Sequence, residues 1–202
     1  PSIVKQPILF LTETCNGSAK KILMMKTIHI AKCLGVLLLA FNSPLHAQTA
    51  IKPQRDITAI SLDGEELSML YTHIDKNNAH PIDTLTFFRN NPKGPAQHVP
   101  FEINDRFEPI LQLRSGADCA MTGFRAFKSG NRMRVVYAQR DGNWADKRRV
   151  TFTVMDLKRN LEEDLDTPPL YFHETAKVTT QASYCDVNTA LDTEAGLYRM
   201  GK

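Results

Sequence analysis

Residues 57–74 read ITAISLDGEELSMLYTHI, and the reading of this stretch decides the fold. From Ile57 to Leu62 apolar and polar residues alternate with the period of two that a half-buried strand requires. Asp63-Gly64 follows at once, a pair suited to the left-handed backbone of a two-residue hairpin turn, and Leu67 to Ile74 then resumes a strand pattern. The same punctuation recurs downstream. Asp83 to Phe88 reads as a strand after the polar stretch Asp75 to Asn78, and His98 to Ile103 as a short one. Ala120 to Phe127 and Arg132 to Gln139 flank Ser129-Gly130-Asn131 as a second hairpin. In Arg149 to Leu157 the alternation points Val150, Phe152 and Val154 inward and Thr151 and Thr153 outward. Leu170 to Thr180 is the eighth expected strand. Strands this short and evenly spaced imply a mainly β fold, an antiparallel β-sandwich or a barrel-like domain. The one good helix signal is C-terminal: Asp186 caps the amides that open Val187 to Glu194, and Gly196 is expected to end the helix.

The segment before this domain reads as an export signal. Met24 or Met25 is a credible start, Lys26 and Lys32 give a basic opening, and Cys33 to Phe41 is an apolar run of nine. Nine residues cannot cross a hydrocarbon core that needs about 20. Asn42-Ser43-Pro44 breaks the run, and Leu45-His46-Ala47 places a small residue before Gln48, where cleavage is expected. Cys33 stands before the apolar run and not after it, so lipidation is not expected. The domain plan is thus residues 1–23 as an upstream extension that is untranslated or appended, 24–47 as signal peptide, and 48–202 as one exported β-rich domain. The expected location is the periplasm of a Gram-negative type envelope, with no stable membrane insertion after cleavage.

Removing residues 1–47 changes the composition. Five of the 25 Lys/Arg and one of the 22 Asp/Glu lie there, so the formal charge falls from +3 for the whole chain to −1 for the remainder. A near-neutral domain lacks the electrostatic footprint of a nucleic-acid or anionic-membrane binder. The basic run Lys147-Arg148-Arg149 and the acidic run Glu162-Glu163-Asp164 are expected on solvated loops. Of four cysteines, only Cys119 and Cys185 remain, and two cysteines in an exported domain most economically form one disulfide. Closing a loop of about 65 residues stabilises by roughly 4 kcal/mol on the chain-entropy model. Because Cys185 directly precedes Asp186, the bridge would pin the terminal helix to the sheet.

Catalytic motifs are missing from residues 48–202. There is no G-x-S-x-G elbow, no H-E-x-x-H zinc helix and no G-x-x-x-x-G-K phosphate loop. The two S-x-x-K matches, Ser2/Lys5 and Ser18/Lys21, both lie before the cleavage point. His73 and His80 with Asp75 or Asp83 could form a zinc site of an unrecognised hydrolase, but their spacing fits no compact ligand motif. The expectation is a protein that is not an enzyme and carries neither metal nor cofactor. Trp144, in the turn Asp141 to Asp146, reads either as a plug closing one end of the sandwich or as an interaction anchor.

Four stretches resemble one known family. They are Asn77-Asn78-Ala79-His80 leading into Thr84 to Phe88; Gly116-Ala117-Asp118-Cys119; Trp144-Ala145-Asp146 before Val150-Thr151-Phe152; and Tyr184-Cys185-Asp186-Val187-Asn188. In order and spacing, across about residues 67–198, they resemble the CarG-like periplasmic proteins of carbapenem intrinsic resistance. The resemblance implies an exported, mostly β protein that protects a cell from carbapenem by binding the antibiotic or a cell-wall target rather than by hydrolysis. On it, Asn78, His80, Trp144 and Asp146 are the candidate binding residues, and the partner is a small-molecule ligand or an envelope protein. The rival reading is a partner-binding or inhibitor-like periplasmic β-domain unrelated to antibiotics. Mass spectrometry of protein recovered from the cell envelope should find Gln48 as the N-terminal residue; a mature chain that still carries residues 24–47 contradicts the cleavage assignment.

Overall fold

A computed structural model describes residues 48–53, 56–62, 64–78, 80–116, 118–162 and 166–200. The expected export signal and the residues before it lie outside them, as do residues 163–165, which include two of the three residues of the acidic run. Twelve strands run in the order β1 (Thr49–Ile51), β2 (Asp56–Leu62), β3 (Glu65–Ile74), β4 (Ile82–Arg89), β5 (Gln97–Val99), β6 (Phe101–Ile103), β7 (Arg106–Glu108) and β8 (Leu111–Arg114), then β9 (Thr122–Ser129), β10 (Arg132–Gln139), β11 (Arg148–Arg159) and β12 (Leu170–Tyr184). A helix, α1 (Val187–Glu194), and a 3₁₀ turn, Ala195–Tyr198, follow.

The strands form two sheets of a sandwich, and the barrel alternative falls away. A seven-stranded sheet has the order β1-β9-β10-β11-β12-β6-β7. In the five-stranded sheet, β2-β3-β4-β5 is joined by β8, which shares an edge of β4 with β5: β8 pairs with Ile82–Leu85 and β5 with Phe87–Arg89. Every pairing is antiparallel except β6 with β12, where Phe101 lies beside Phe172 in a parallel ladder. The hairpin joining β2 to β3 forms as read, with Leu62 opposite Glu65 and Gly64 at φ +74°; Asp63 lies outside the described residues.

The expected single strand His98–Ile103 is two strands in different sheets. Pro100 lies between them; it has no N–H to continue a ladder, and its carbonyl instead accepts from Phe172 N–H at 2.9 Å. The chain therefore changes sheets at this proline. The strand β7 was not expected. It is made by Asn104-Asp105, both at positive φ (50° and 59°), which form a two-residue turn between Ile103 and its partner Arg106. Arg148 and Arg149 are also not loop residues: they open β11 opposite Tyr184 and Ser183, and both are exposed.

The main core lies between the sheets. Leu67, Met69, Leu85 and Phe87 from the smaller sheet meet Ala126, Met133, Val135, Met155 and Phe172 from the larger, with Phe101. Phe87, Phe101 and Phe172 close a cluster at centroid distances of 5.9, 4.8 and 5.3 Å. Each is fully buried, and truncating one would cost about 3–5 kcal/mol.

A second core covers the opposite face of the larger sheet. Phe127, Val136, Ala138, Val150 and Phe152 pack there against Val187, Ala190 and Leu191 of α1 and against Met200. This corrects the one-sided alternation expected for β11. Val150 and Phe152 face the helix, while Met155 and Leu157 face the other sheet, and Thr153 is itself buried. Both faces of the sheet are covered, so apolar content alone does not reveal which side is inward. A fold of sheet, sheet and helix results.

The helix begins as expected, with Asn188 N–H donating to Asp186 Oδ1 at 2.7 Å. It also ends at Glu194 as expected, but the expected terminator is corrected. Gly196 lies within the 3₁₀ turn that follows, and that turn carries Tyr198 onto Phe152, with ring centroids 5.3 Å apart. The bridge Cys119–Cys185 forms with Cα atoms 5.7 Å apart and joins the β8–β9 connection to the start of the helix. Replacing both cysteines by serine should lower the unfolding free energy by about 4 kcal/mol on the chain-entropy model. Urea unfolding of the oxidised protein and the double variant measures it; equal midpoints would remove the bridge from the stability account.

Candidate functional site

The candidate site is built where the two sheets and the helix meet. β8 belongs to the smaller sheet and β9 to the larger, yet the two are stitched together at this corner. Met121 N–H donates to Arg114 O at 2.7 Å, Arg114 N–H donates to Thr122 Oγ1 at 2.5 Å, and Ser115 bridges to Ala120. Val187 N–H, an orphan donor of the first helical turn, donates to Ala120 O at 3.1 Å. One short stretch, Arg114 to Thr122, thus holds both sheets and the helix.

Arg140 organises the next layer outward. It directly follows β10 and is 2 % exposed. Its guanidinium donates to Cys185 O at 2.5 Å, Trp144 O at 2.5 Å, Asn143 O at 2.8 Å and Asp141 O at 3.4 Å. A buried arginine stays charged, so carbonyl dipoles must replace the water it has lost. Those carbonyls belong to the turn that carries Trp144 and to the residue of the disulfide next to the helix. The conformation of the Trp144 turn is therefore dictated by a side chain beneath it.

Trp144 is half-buried. Its six-membered ring lies so close to Gly116 that a β-carbon there would sit 2.4 Å from Cε3. His80 stacks on the indole with centroids 4.8 Å apart and planes 17° from parallel, and the Arg114 guanidinium lies over the ring at 5.8 Å. His80 is delivered by a local turn, its N–H donating to Asn78 Oδ1 at 2.8 Å. Two motif stretches far apart in sequence thus converge. Of the four candidate residues, Asn78, His80 and Trp144 come together. Asp146 stays on the turn, with its carboxylate 3.1 Å from Arg148.

Beside this stack a cleft of about 150 Å³ opens between the sheets, lined by Tyr71, Asp83, Arg114, Ser115, Arg125 and Asn188 among others. Asp83 accepts from Tyr71 Oη–H at 2.8 Å and pairs with His73 Nδ1 at 2.6 Å. His73 is thus committed to Asp83 and His80 to Trp144. Among the described residues no three His, Cys, Asp or Glu side chains gather as a metal-holding group. Arg125 is held by Asp192 at 2.5 Å and by Asn188 Oδ1 at 3.3 Å. Behind the cleft, burial pushes the Tyr137 phenol above its ordinary range, against the opposing pulls of its Thr122 hydrogen bond and the Arg114 charge.

A larger concavity of about 1170 Å³ lies at the other ends of β3 and β4, lined by Gly64, Glu65, Arg89 and the connection from Asn90 to Gln97. Its floor is closed on itself: buried Glu65 binds Arg89 at 2.5 Å and also pairs with Arg159. None of the motif stretches reaches it, so the smaller cleft has the better claim.

Sequence reasoning missed Arg114, Arg140 and the contact role of Gly116. Arg114 closes β8 and Arg140 directly follows β10, both just before turns, where neither periodicity nor motif singles out an arginine. Gly116 and Asn188 stood inside motif stretches, and those stretches were the available signal.

A family model described as "Carbapenem resistance protein CarG-like" matches residues 52–193. A solved structure described as the crystal structure of CarG superposes with a TM-score of 0.63 at 23 % identity, covering 73 % of this chain and 97 % of that one. At that identity the likeness shows the fold. No curated protein sequence matches the chain.

The chain holds one tryptophan, so its fluorescence reports this corner alone. Gly116→Ala should displace the indole and shift its emission to the red while leaving the far-ultraviolet circular dichroism of the sheets unchanged. Arg140→Met, which removes the buried donor of four backbone carbonyls, should destabilise by about 3 kcal/mol and give the same red shift. An unshifted spectrum in Gly116→Ala would show that the indole does not rest on that glycine.

Proposed function

The chain belongs to the CarG-like family, and from that premise we propose that it is an exported, non-catalytic factor in carbapenem resistance that acts by binding, not by hydrolysis. The observation that carries the reading is the His80–Trp144 stack. It joins two of the family-like stretches at one surface, 4.8 Å apart, beside the inter-sheet cleft. Family membership is shown by the match across residues 52–193. The expected compartment is the periplasm, on the strength of the apolar run and the small residue at Ala47. A disulfide joining Cys119 and Cys185 fits an oxidising compartment.

Binding is favoured over turnover by what the polar groups of the cleft are doing. His73 has its carboxylate partner, which is one half of a general-base arrangement. No described residue is hydrogen-bonded to its Nε2 as a nucleophile would be. The ligand is a small molecule, either the antibiotic or a cell-wall fragment of related chemistry. Nucleic acid is disfavoured by the net charge of −1 after residue 47.

Two measurements test the reading together. Deleting the gene should raise carbapenem susceptibility several-fold, and purified protein incubated with a carbapenem should leave the ring absorbance unchanged while perturbing Trp144 emission. Loss of the ring absorbance in proportion to protein would make the chain an enzyme and end the binding proposal.

A further inference from the structure

The inter-sheet cleft holds a surplus of hydrogen-bond donors. Arg114 lines it, and among the described residues its guanidinium makes no hydrogen bond or ion pair; it lies over the Trp144 ring at 5.8 Å, and its charge acts on the Tyr137 phenol. Asn188 lines it too. Its Oδ1 is committed to Arg125 at 3.3 Å, which leaves Nδ2 without a described acceptor. Ser115 adds a hydroxyl with no described partner. The acceptors nearby are already used. Asp83 receives Tyr71 on one oxygen and faces His73 on the other. Thr122 Oγ1 accepts from Arg114 N–H at 2.5 Å and donates to Gln112 O at 3.1 Å. Arg125, the second cation, is closed by Asp192 at 2.5 Å. A molecule entering the cleft therefore meets N–H and O–H groups that no described protein acceptor engages.

We infer that this cleft binds the carboxylate of a small ligand. Arg114 supplies the planar fork that matches a carboxylate. Asn188 Nδ2 and Ser115 Oγ each add one donor. The volume of about 150 Å³ equals about five water molecules at about 30 Å³ each. That is room for a carboxylate and the few atoms bearing it, well below the roughly 300–1,000 Å³ of pockets that engulf drug-sized ligands. The rest of a larger ligand must lie outside, and the aromatic surface beneath the Arg114 guanidinium is the Trp144–His80 stack. The cleft thus anchors the acid and the stack supports the body. Asp83 repels a carboxylate that strays toward the smaller sheet, which fixes the anchored group on the Arg114–Asn188 side. This deepens the binding reading above by naming the group recognised, and it holds whether the acid belongs to the antibiotic or to a D-alanyl-D-alanine terminus of the cell wall.

The test titrates the purified protein with four probes: a carbapenem free acid, its methyl ester, N-acetyl-D-alanyl-D-alanine and the amide of that dipeptide. Calorimetry and Trp144 emission give the affinities. At least one acid should bind tenfold or more tightly than its neutral counterpart. Arg114→Gln should weaken that acid by tenfold or more. Asn188→Asp is the sharper variant: it keeps an oxygen for Arg125 and suits the first turn of a helix, yet it replaces a donor with a negative charge. It should leave the melting temperature unchanged or raised and abolish acid binding. Ester binding equal to acid binding, undiminished binding by Asn188→Asp, or no acid binding at millimolar concentration would each overturn the inference. A carbapenem acid that binds independently of both substitutions overturns the cleft and leaves the proposed function standing. Dipeptide acid that binds through Asn188 while carbapenem does not supports the cleft and removes the drug as ligand.

Discussion

A buried positive charge, with no carboxylate partner among the described residues, holds one corner of this molecule together. Arg140 is 2 % exposed, and four backbone carbonyls from two separate segments surround its guanidinium. Desolvating an arginine is costly, and the cost is offset only while those carbonyls stay in place. The turn from Asp141 to Trp144 and the start of the helix at Cys185 are therefore not independent loops. They are the solvation shell of one side chain, and the indole, the disulfide and the helix cap inherit their positions from it.

The same corner explains why the larger sheet can be covered on both faces. A short terminal helix of eight residues has little stability alone. Here it is fixed at its start by the Cys119–Cys185 bridge, by the Asp186 cap and by the bond from Val187 N–H to Ala120 O. At its far end Tyr184 hydrogen-bonds Glu194, which raises the phenol above its ordinary range. With the helix pinned, Phe127, Val136, Val150 and Phe152 lose water on a face that a two-layer sandwich would leave wet.

A cleft opens at the junction because three layers cannot close perfectly where they are stitched. Arg114 to Thr122 passes from one sheet to the other, and the gap it leaves is the cleft. Trp144 lies next to that gap beneath the Arg114 guanidinium, seated on Gly116 and stacked with His80. The tryptophan packs on Gly116 as the plug reading expected, and the exposed His80 stacks upon it; its reading as an interaction anchor belongs to the proposed function.

How much of this was readable in advance depends on the range of each interaction. Alternation in Ile57–Leu62, the Asp63-Gly64 turn, the Asp186 cap and the pairing of the two remaining cysteines are local or combinatorial facts, and the sequence by itself determined them. The family-like stretches likewise marked His80 and Trp144 before any distance was known. Tertiary structure alone decided the rest. Alternation cannot say which face of β11 meets the other sheet when both faces are apolar enough to bury. A proline at position 100 can break a strand, but only the neighbouring Phe172 shows that the chain then changes sheets. Arg114 and Arg140 are indistinguishable in sequence from surface arginines at strand ends. What separates them is what lies above: an indole for one and four carbonyls for the other. The energy of a charge depends on groups brought near it from elsewhere in the chain, and no local pattern of residues encodes that.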